Sequence, residues 1–249
     1  MRSILCFAAV VALAACGAPS QVAKPTPAVR LDEVHALVRH GRWLKALPAL
    51  QRMVFELAPG RPELPEVAFL TGEVLFQTGS FLDAAEQFRK VAESFPESPY
   101  APLALLRAGD ASMRLWRLPQ LDPTNGEIAL AAYQELTGRY PESDEAIRAN
   151  MRVHRLRNWL AEKAYRNGTF YSRRKAYDSA ILYYKEVVAA YSDTDWAPHA
   201  LLRLVDSYYT IKYNEERKET CEHLRRFFPR TPLDPAKCPP GPPAADASP

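Results

Sequence analysis

Apolar and polar positions in the middle of the chain follow one spacing that recurs five times. Ala84, Phe88, Val91 and Phe95 are separated by steps of 4, 3 and 4, and Pro96 follows. Ala129, Tyr133, Leu136 and Tyr140 repeat the steps before Pro141, and Ala180, Tyr184, Val187 and Tyr191 repeat them before Ser192. Ala46, Leu50, Met53 and Leu57 stand before Pro59, and Arg217, Cys221, Leu224 and Phe228 before Pro229. Such steps lay four side chains on one stripe of an α-helix, and proline then stops it. The pattern predicts five copies of one unit.

Each stripe has a partner upstream. Gly72 lies twelve residues before Ala84, and Gly168 twelve before Ala180. Glycine, a bulky residue three positions on, Ala-x3-aromatic and a closing proline make the tetratricopeptide (TPR) pattern of paired helices. Gly72, Leu75, Phe81, Ala84, Phe88 and Pro96 fit it throughout; Gly168, Tyr171, Tyr177, Ala180 and Tyr184 fit with Ser192 in the proline slot. Three copies depart. The first has Val34 for glycine, and Pro48 inside its second helix should kink that helix or delay its start. The third reaches from Gly109 to Ala129 in twenty residues, an insertion with Pro119, Pro123 and the turn-like pair Asn125-Gly126. The fifth carries Val205 and Arg217 in the small slots, which means looser packing or a different register. Glu145–Asn167, free of glycine and proline, reads as one helix of about 34 Å. Ala92 falls off the stripe and should tolerate a larger side chain better than Ala84. The expectation is an all-α, TPR-type α-solenoid of about five helix pairs over residues 31–229.

The ends read differently. A basic start, an apolar run from Ile4 to Leu13 and the string Leu13-Ala14-Ala15-Cys16 predict a lipoprotein signal peptide over residues 1–15 and a lipidated Cys16. The run is too short to span a bilayer, which takes about 20 apolar residues. Gly17 after the cysteine favours the outer membrane. Residues 16–30 read as a flexible tether, and residues 230–249, dense in proline, as a disordered tail. Composition adds exclusions. Of 249 residues, 47% are hydrophobic and 24% charged, with a formal net charge of +3, which suits a globular protein and falls short of the basic stripe of a nucleic-acid binder.

No phosphate loop, zinc helix or nucleophile turn is present in the sequence. Histidines 35, 40, 154, 199 and 223 share no metal-ligand spacing, so neither cofactor, metal nor catalytic residue is expected. Cys221 and Cys238 could pair in an oxidising compartment; otherwise Cys221 is a small core residue. In TPR pairs the first helix presents set positions to the concave side. Here these are Phe69, Glu73, Phe76 and Gln77, then Leu106, Asp110, Met113 and Arg114. The two phenylalanines either meet an extended peptide with aromatic side chains or pack between neighbouring repeats. Arg148, Arg152 and Arg155 share a helix face, and Arg173-Arg174-Lys175 occupies a turn; these are a solvated exterior or a docking surface for an acidic partner.

Taken together, the lipobox, the tether, the five helix pairs and the strings Phe95-Pro-Glu-Ser-Pro-Tyr-Ala101, Ala176-Tyr-Asp-Ser-Ala-Ile181 and Tyr191-Ser-Asp-Thr194 resemble the BamD family over roughly residues 13–230. BamD proteins are lipoproteins of the machinery that assembles β-barrels in the bacterial outer membrane. The resemblance implies a non-enzymatic scaffold on the periplasmic face, anchored in the inner leaflet of the outer membrane. It places unfolded outer-membrane protein segments in the groove of repeats one to three, with Phe69, Glu73, Phe76, Gln77, Asp110 and Arg114. It places the POTRA domain of the barrel-forming core subunit on repeats three to five, near Arg152, Arg155, Arg173 and Arg174, with other assembly lipoproteins as further partners. A Tol–Pal or cell-wall coordinator with TPR pairs shares the Phe-Pro-Glu-Ser-Pro-Tyr-Ala run. That family usually has an N-terminal coiled coil, and the tether here carries no heptads.

Overall fold

The computed structural model describes residues 26–240, and ten α-helices follow one another within them. They are α1 (Pro27–Arg39), α2 (Trp43–Glu56), α3 (Leu64–Gln77), α4 (Phe81–Ser94), α5 (Tyr100–Leu115), α6 (Thr124–Arg139), α7 (Asp144–Arg173), α8 (Tyr177–Ala190), α9 (Trp196–Ile211) and α10 (Asn214–Phe227). Each packs on its neighbours in sequence, and the first helices of successive pairs, α3, α5, α7 and α9, also touch one another. Those four helices form the inner wall of a TPR-type solenoid. Residues 1–25, with the expected signal peptide, Cys16 and most of the tether, lie outside the described residues, as do residues 241–249.

The repeated stripe is the core. Ala46, Leu50 and Met53 are buried, as are Ala84, Phe88 and Val91, Ala129, Tyr133 and Leu136, Ala180, Tyr184 and Val187, and Cys221 with Leu224. The upstream glycines have a steric cause. A Cβ on Gly72 would lie 2.6 Å from the Phe88 ring, one on Gly109 2.3 Å from Tyr133 and one on Gly168 2.6 Å from Tyr184. In each of these pairs a ring occupies the volume that a side chain would need. Where the ring is absent the glycine is absent too: Val34 shares a core cluster with Leu50, and Val205 with Cys221. Volume is exchanged across the pair and helix spacing is kept. Gly72→Val is therefore expected to lower stability by about 1–3 kcal/mol through overpacking, and Gly72→Val with Phe88→Leu, which copies the first repeat, to recover most of it. Urea melts of the three proteins decide the matter, and a double variant no better than Gly72→Val would disprove the exchange.

The turns show a second regularity. Gly41, Gly79, Lys175 and Lys212 each stand two residues before the second helix of their pair, and all have φ between 62° and 85°. Glycine suits that left-handed backbone, and the two lysines adopt it against their preference.

Several expectations change. Residues 27–30, expected as part of the tether, are helical: Pro27 fits the first position of α1 and the Thr26 hydroxyl accepts a hydrogen bond from the Val29 amide at 3.4 Å. Pro48 does not delay α2, which starts at Trp43 and carries the proline inside it. Asn125-Gly126 is no turn but part of the first turn of α6, where Gly126 makes room for Trp116, whose ring would be 2.3 Å from a Cβ. The predicted helix over 145–167 runs on through Gly168 to Arg173, 30 residues in all, or about 45 Å. Ala92 is fully buried, because α4 packs Ala85 and Ala92 towards the next pair while Ala84 and Phe88 face its own. The fifth pair keeps its register, with the Arg217 guanidinium 5.5 Å from the Tyr209 ring centre.

The tail departs most from expectation. Residues 231–240 fold back on the last pair. Cys221 and Cys238 form a disulfide, Lys237 pairs with Asp206 at 2.7 Å, and Leu233 packs on the core cluster of α7–α10. A covalent link and a few anchors order this segment without the helical periodicity that the sequence lacks.

Candidate functional site on the inner wall

Two features of the wall carry chemistry. The first lies across α3, α5 and α7. Glu73 accepts two hydrogen bonds from the Arg107 guanidinium, the Nη2 donor at 2.9 Å. Arg107 also stands 3.6 Å from Asp110, and Asp110 pairs with Arg152 of α7 at 2.6 Å and accepts the Tyr133 hydroxyl at 2.8 Å. Burial, then the Asp110 carboxylate, push the Tyr133 hydroxyl far above the ordinary phenol range, so it stays a donor. Two carboxylates and two guanidiniums thus tie three inner helices together in partly desolvated surroundings, where such hydrogen bonds are strong.

Above this network lies an aromatic step. Phe76 meets Phe81 edge-on at 5.2 Å; the Arg107 guanidinium covers Phe76 at 4.1 Å and that of Arg114 covers Phe81 at 4.8 Å. Phe76 is half-buried, whereas Gln77 and Arg114 are exposed. This arrangement offers an apolar edge, an amide and a guanidinium side by side.

Of the expected groove residues, the structure brings Glu73, Phe76, Gln77, Asp110 and Arg114 to this region. Phe69 is a correction. It is only 7% exposed and packs on Phe88 and Tyr100, both at 5.4 Å, so it belongs to the core between the second and third pairs. Leu106 is buried as well. Arg152 is corrected in place: it is bound to Asp110 and belongs to the inner network. The residue that sequence reasoning missed is Arg107. Its only signal is its place three residues before Asp110, one turn away on the same helix.

The second feature is a groove of about 500 Å³ between α7 and α9. Tyr165, Phe170 and Trp196 line it, with Arg166, Arg173, Arg174 and Arg203 around them. The Arg174 guanidinium lies 3.6 Å from the Phe170 ring centre, and Arg203 donates to the Tyr165 hydroxyl at 3.2 Å. Glu162 and Asp206 each hold one of the four arginines. The surplus is basic, and the aromatic walls suit a partner with carboxylates beside apolar groups. Arg173 and Arg174 line this groove, while Arg155 stands exposed on α7 outside it. No cluster of three metal-ligating side chains occurs among the described residues, and none of their helices is long and apolar enough to cross a membrane.

Known proteins align with this arrangement along most of its length. The family YfiO, described as outer membrane lipoprotein, matches residues 22–224. The outer membrane protein assembly factor BamD of Caulobacter vibrioides is 26% identical over 211 residues, 85% of this chain and 67% of that protein. The protein of the same name from Neisseria gonorrhoeae is 26% identical over 205 residues, 82% of this chain and 66% of the relative. The chain thus spans about two thirds of their length. A solved tetratricopeptide repeat protein from Parabacteroides merdae has 14% identity and a TM-score of 0.40, over 80% of this chain and 79% of that one.

Proposed function

The chain belongs to the YfiO family of outer membrane lipoproteins, and from that membership we propose that it is an assembly factor for outer membrane proteins. It works as a non-enzymatic scaffold, held by lipid on Cys16 at the periplasmic face of the outer membrane. The carrying observation is the family match across residues 22–224, which takes in nearly all of the solenoid, together with relatives named as assembly factors.

The inner wall of the second and third pairs receives an extended segment of an unfolded outer-membrane protein. Phe76 supplies the apolar contact, Gln77 and Arg114 read backbone and side chain, and the Glu73–Arg107–Asp110–Arg152 network keeps the wall rigid beneath them. Rigidity of this kind lowers the ordering cost of binding. The basic, aromatic groove of α7 and α9, with Arg173 and Arg174 and with Arg155 beyond it, docks an acidic surface of the POTRA domain of the barrel-forming core subunit. Other assembly lipoproteins bind the remaining faces.

The test is a titration of the purified protein with a fluorescent peptide copied from the C-terminus of a barrel protein. Phe76→Ala removes one anchor, and loss of such a hot-spot side chain costs about 2 kcal/mol, roughly a thirtyfold loss of affinity. The fold survives, because Gly72, Ala84 and Phe88 are untouched. Equal binding by both proteins with matched melting curves would remove the groove, and recovery of no assembly subunits from solubilised outer membrane would remove the wider role.

A further inference from the structure

The outer face of α2 carries the two most exposed large apolar side chains of the described residues, Phe55 at 91% and Leu44 at 86%. Residues eleven apart on a helix differ by only about 20° in direction, so the two share one face. Pro48 and Gln51, both exposed, lie between them, and exposed Val54 flanks the strip on one side. On the other side stand Lys45 and Arg52, also exposed. The one acid of α2, Glu56, pairs with Arg30. The core side of the helix is spent on Ala46, Leu50 and Met53. An apolar strip with cations along one edge and no free acid is the pattern of a helix lying in a membrane interface.

Position in the chain says which surface is at hand. Cys16 precedes Thr26 by ten residues, a reach of at most about 36 Å. The pair α1–α2 is therefore the part of the solenoid kept nearest to an anchored Cys16. We propose that the outer face of α2 lies on the phospholipid surface to which Cys16 is anchored. Leu44 and Phe55 enter the boundary between headgroups and acyl chains, and Lys45 and Arg52 pair with lipid phosphates. The inference rests on the reading of Cys16 as lipidated. An anchor at Cys16 alone does not set which way the inner wall faces. A second contact on α2 fixes which way the inner wall faces.

The experiment uses the full lipidated chain in vesicles of three parts phosphatidylethanolamine to one part phosphatidylglycerol, with brominated acyl chains as quencher. A tryptophan is placed by Phe55→Trp, and for comparison by Leu182→Trp on α8, also an exposed position. Wild-type emission is subtracted. The tryptophan at 55 is expected to be blue-shifted and quenched several-fold more than that at 182, and Lys45→Gln with Arg52→Gln to reduce that quenching. Equal quenching at both positions, with the protein floating on the vesicles, would overturn the α2 contact and leave the anchor standing. Failure to float would overturn both. Loss of quenching at 55 in the purified assembly complex would show a protein covering the face, and would overturn the proposal in that way.

Discussion

Trp116→Ala is expected to lower stability by about 3–5 kcal/mol, the range for truncating a large buried aromatic residue. Trp116 ends α5 and begins the insertion of the third pair, yet it is 1% exposed. It meets Trp159 of α7 edge-on at 5.7 Å, and Gly126 of α6 is a glycine because the indole fills its side-chain space. One ring thus joins three helices. Lys163 of α7 completes the attachment by donating to the carbonyls of Gln120 and Leu121 at 3.2 and 2.8 Å. None of the described residues accepts a hydrogen bond from the buried indole Nε1, and packing of the ring carries the contact among them. Trp116→Phe should accordingly restore part of the loss, whereas a hydrogen-bonding role would leave phenylalanine no better than alanine. Urea melts give the size of the effect, and hydrogen exchange should show residues 116–123 opening first. A melt shifted by less than that of Gly72→Val would mean that the insertion rests on the wall without supporting it.

Cys238→Ala is expected to cost about 3 kcal/mol in the last pair, the chain-entropy value for a loop near fifteen residues; here the separation is 17. The effect is local, because each pair of a solenoid leans only on its neighbours. The disulfide holds residues 231–240 over α10, where Arg225 donates to the Cys238 carbonyl at 3.0 Å and Lys237 pairs with Asp206. With the bond removed, α10 amides should exchange faster while those of α4 and α5 stay unchanged. Wild-type protein in reductant should match the variant. If reductant leaves α10 protection as it was, the non-covalent contacts suffice and the bond is incidental.

Periodicity by itself determined the architecture. The 4-3-4 steps and their stops place five second helices, and the glycines twelve residues upstream, Gly72 and Gly168, place two of their partners, because side-chain direction on a helix follows from residue number alone. That same logic cannot say how deep a residue lies along the axis. Phe69 and Phe76 are seven residues apart on one face of α3 and look alike in sequence. Only the neighbours separate them: Phe88 and Tyr100 close over Phe69, while Phe76 lies half-buried beside the Arg107 guanidinium. Likewise Asp110 and Arg152, read as parts of two different sites, form one ion pair because α5 and α7 meet on the inner wall across 42 residues of sequence. The tail illustrates the same limit. Cys221 and Cys238 were one of several options for these cysteines until the fold brought their Cα atoms to 5.6 Å, within bonding range. Helix faces are local properties of sequence, whereas contacts between long polar side chains and between distant segments arise only when the pairs are stacked.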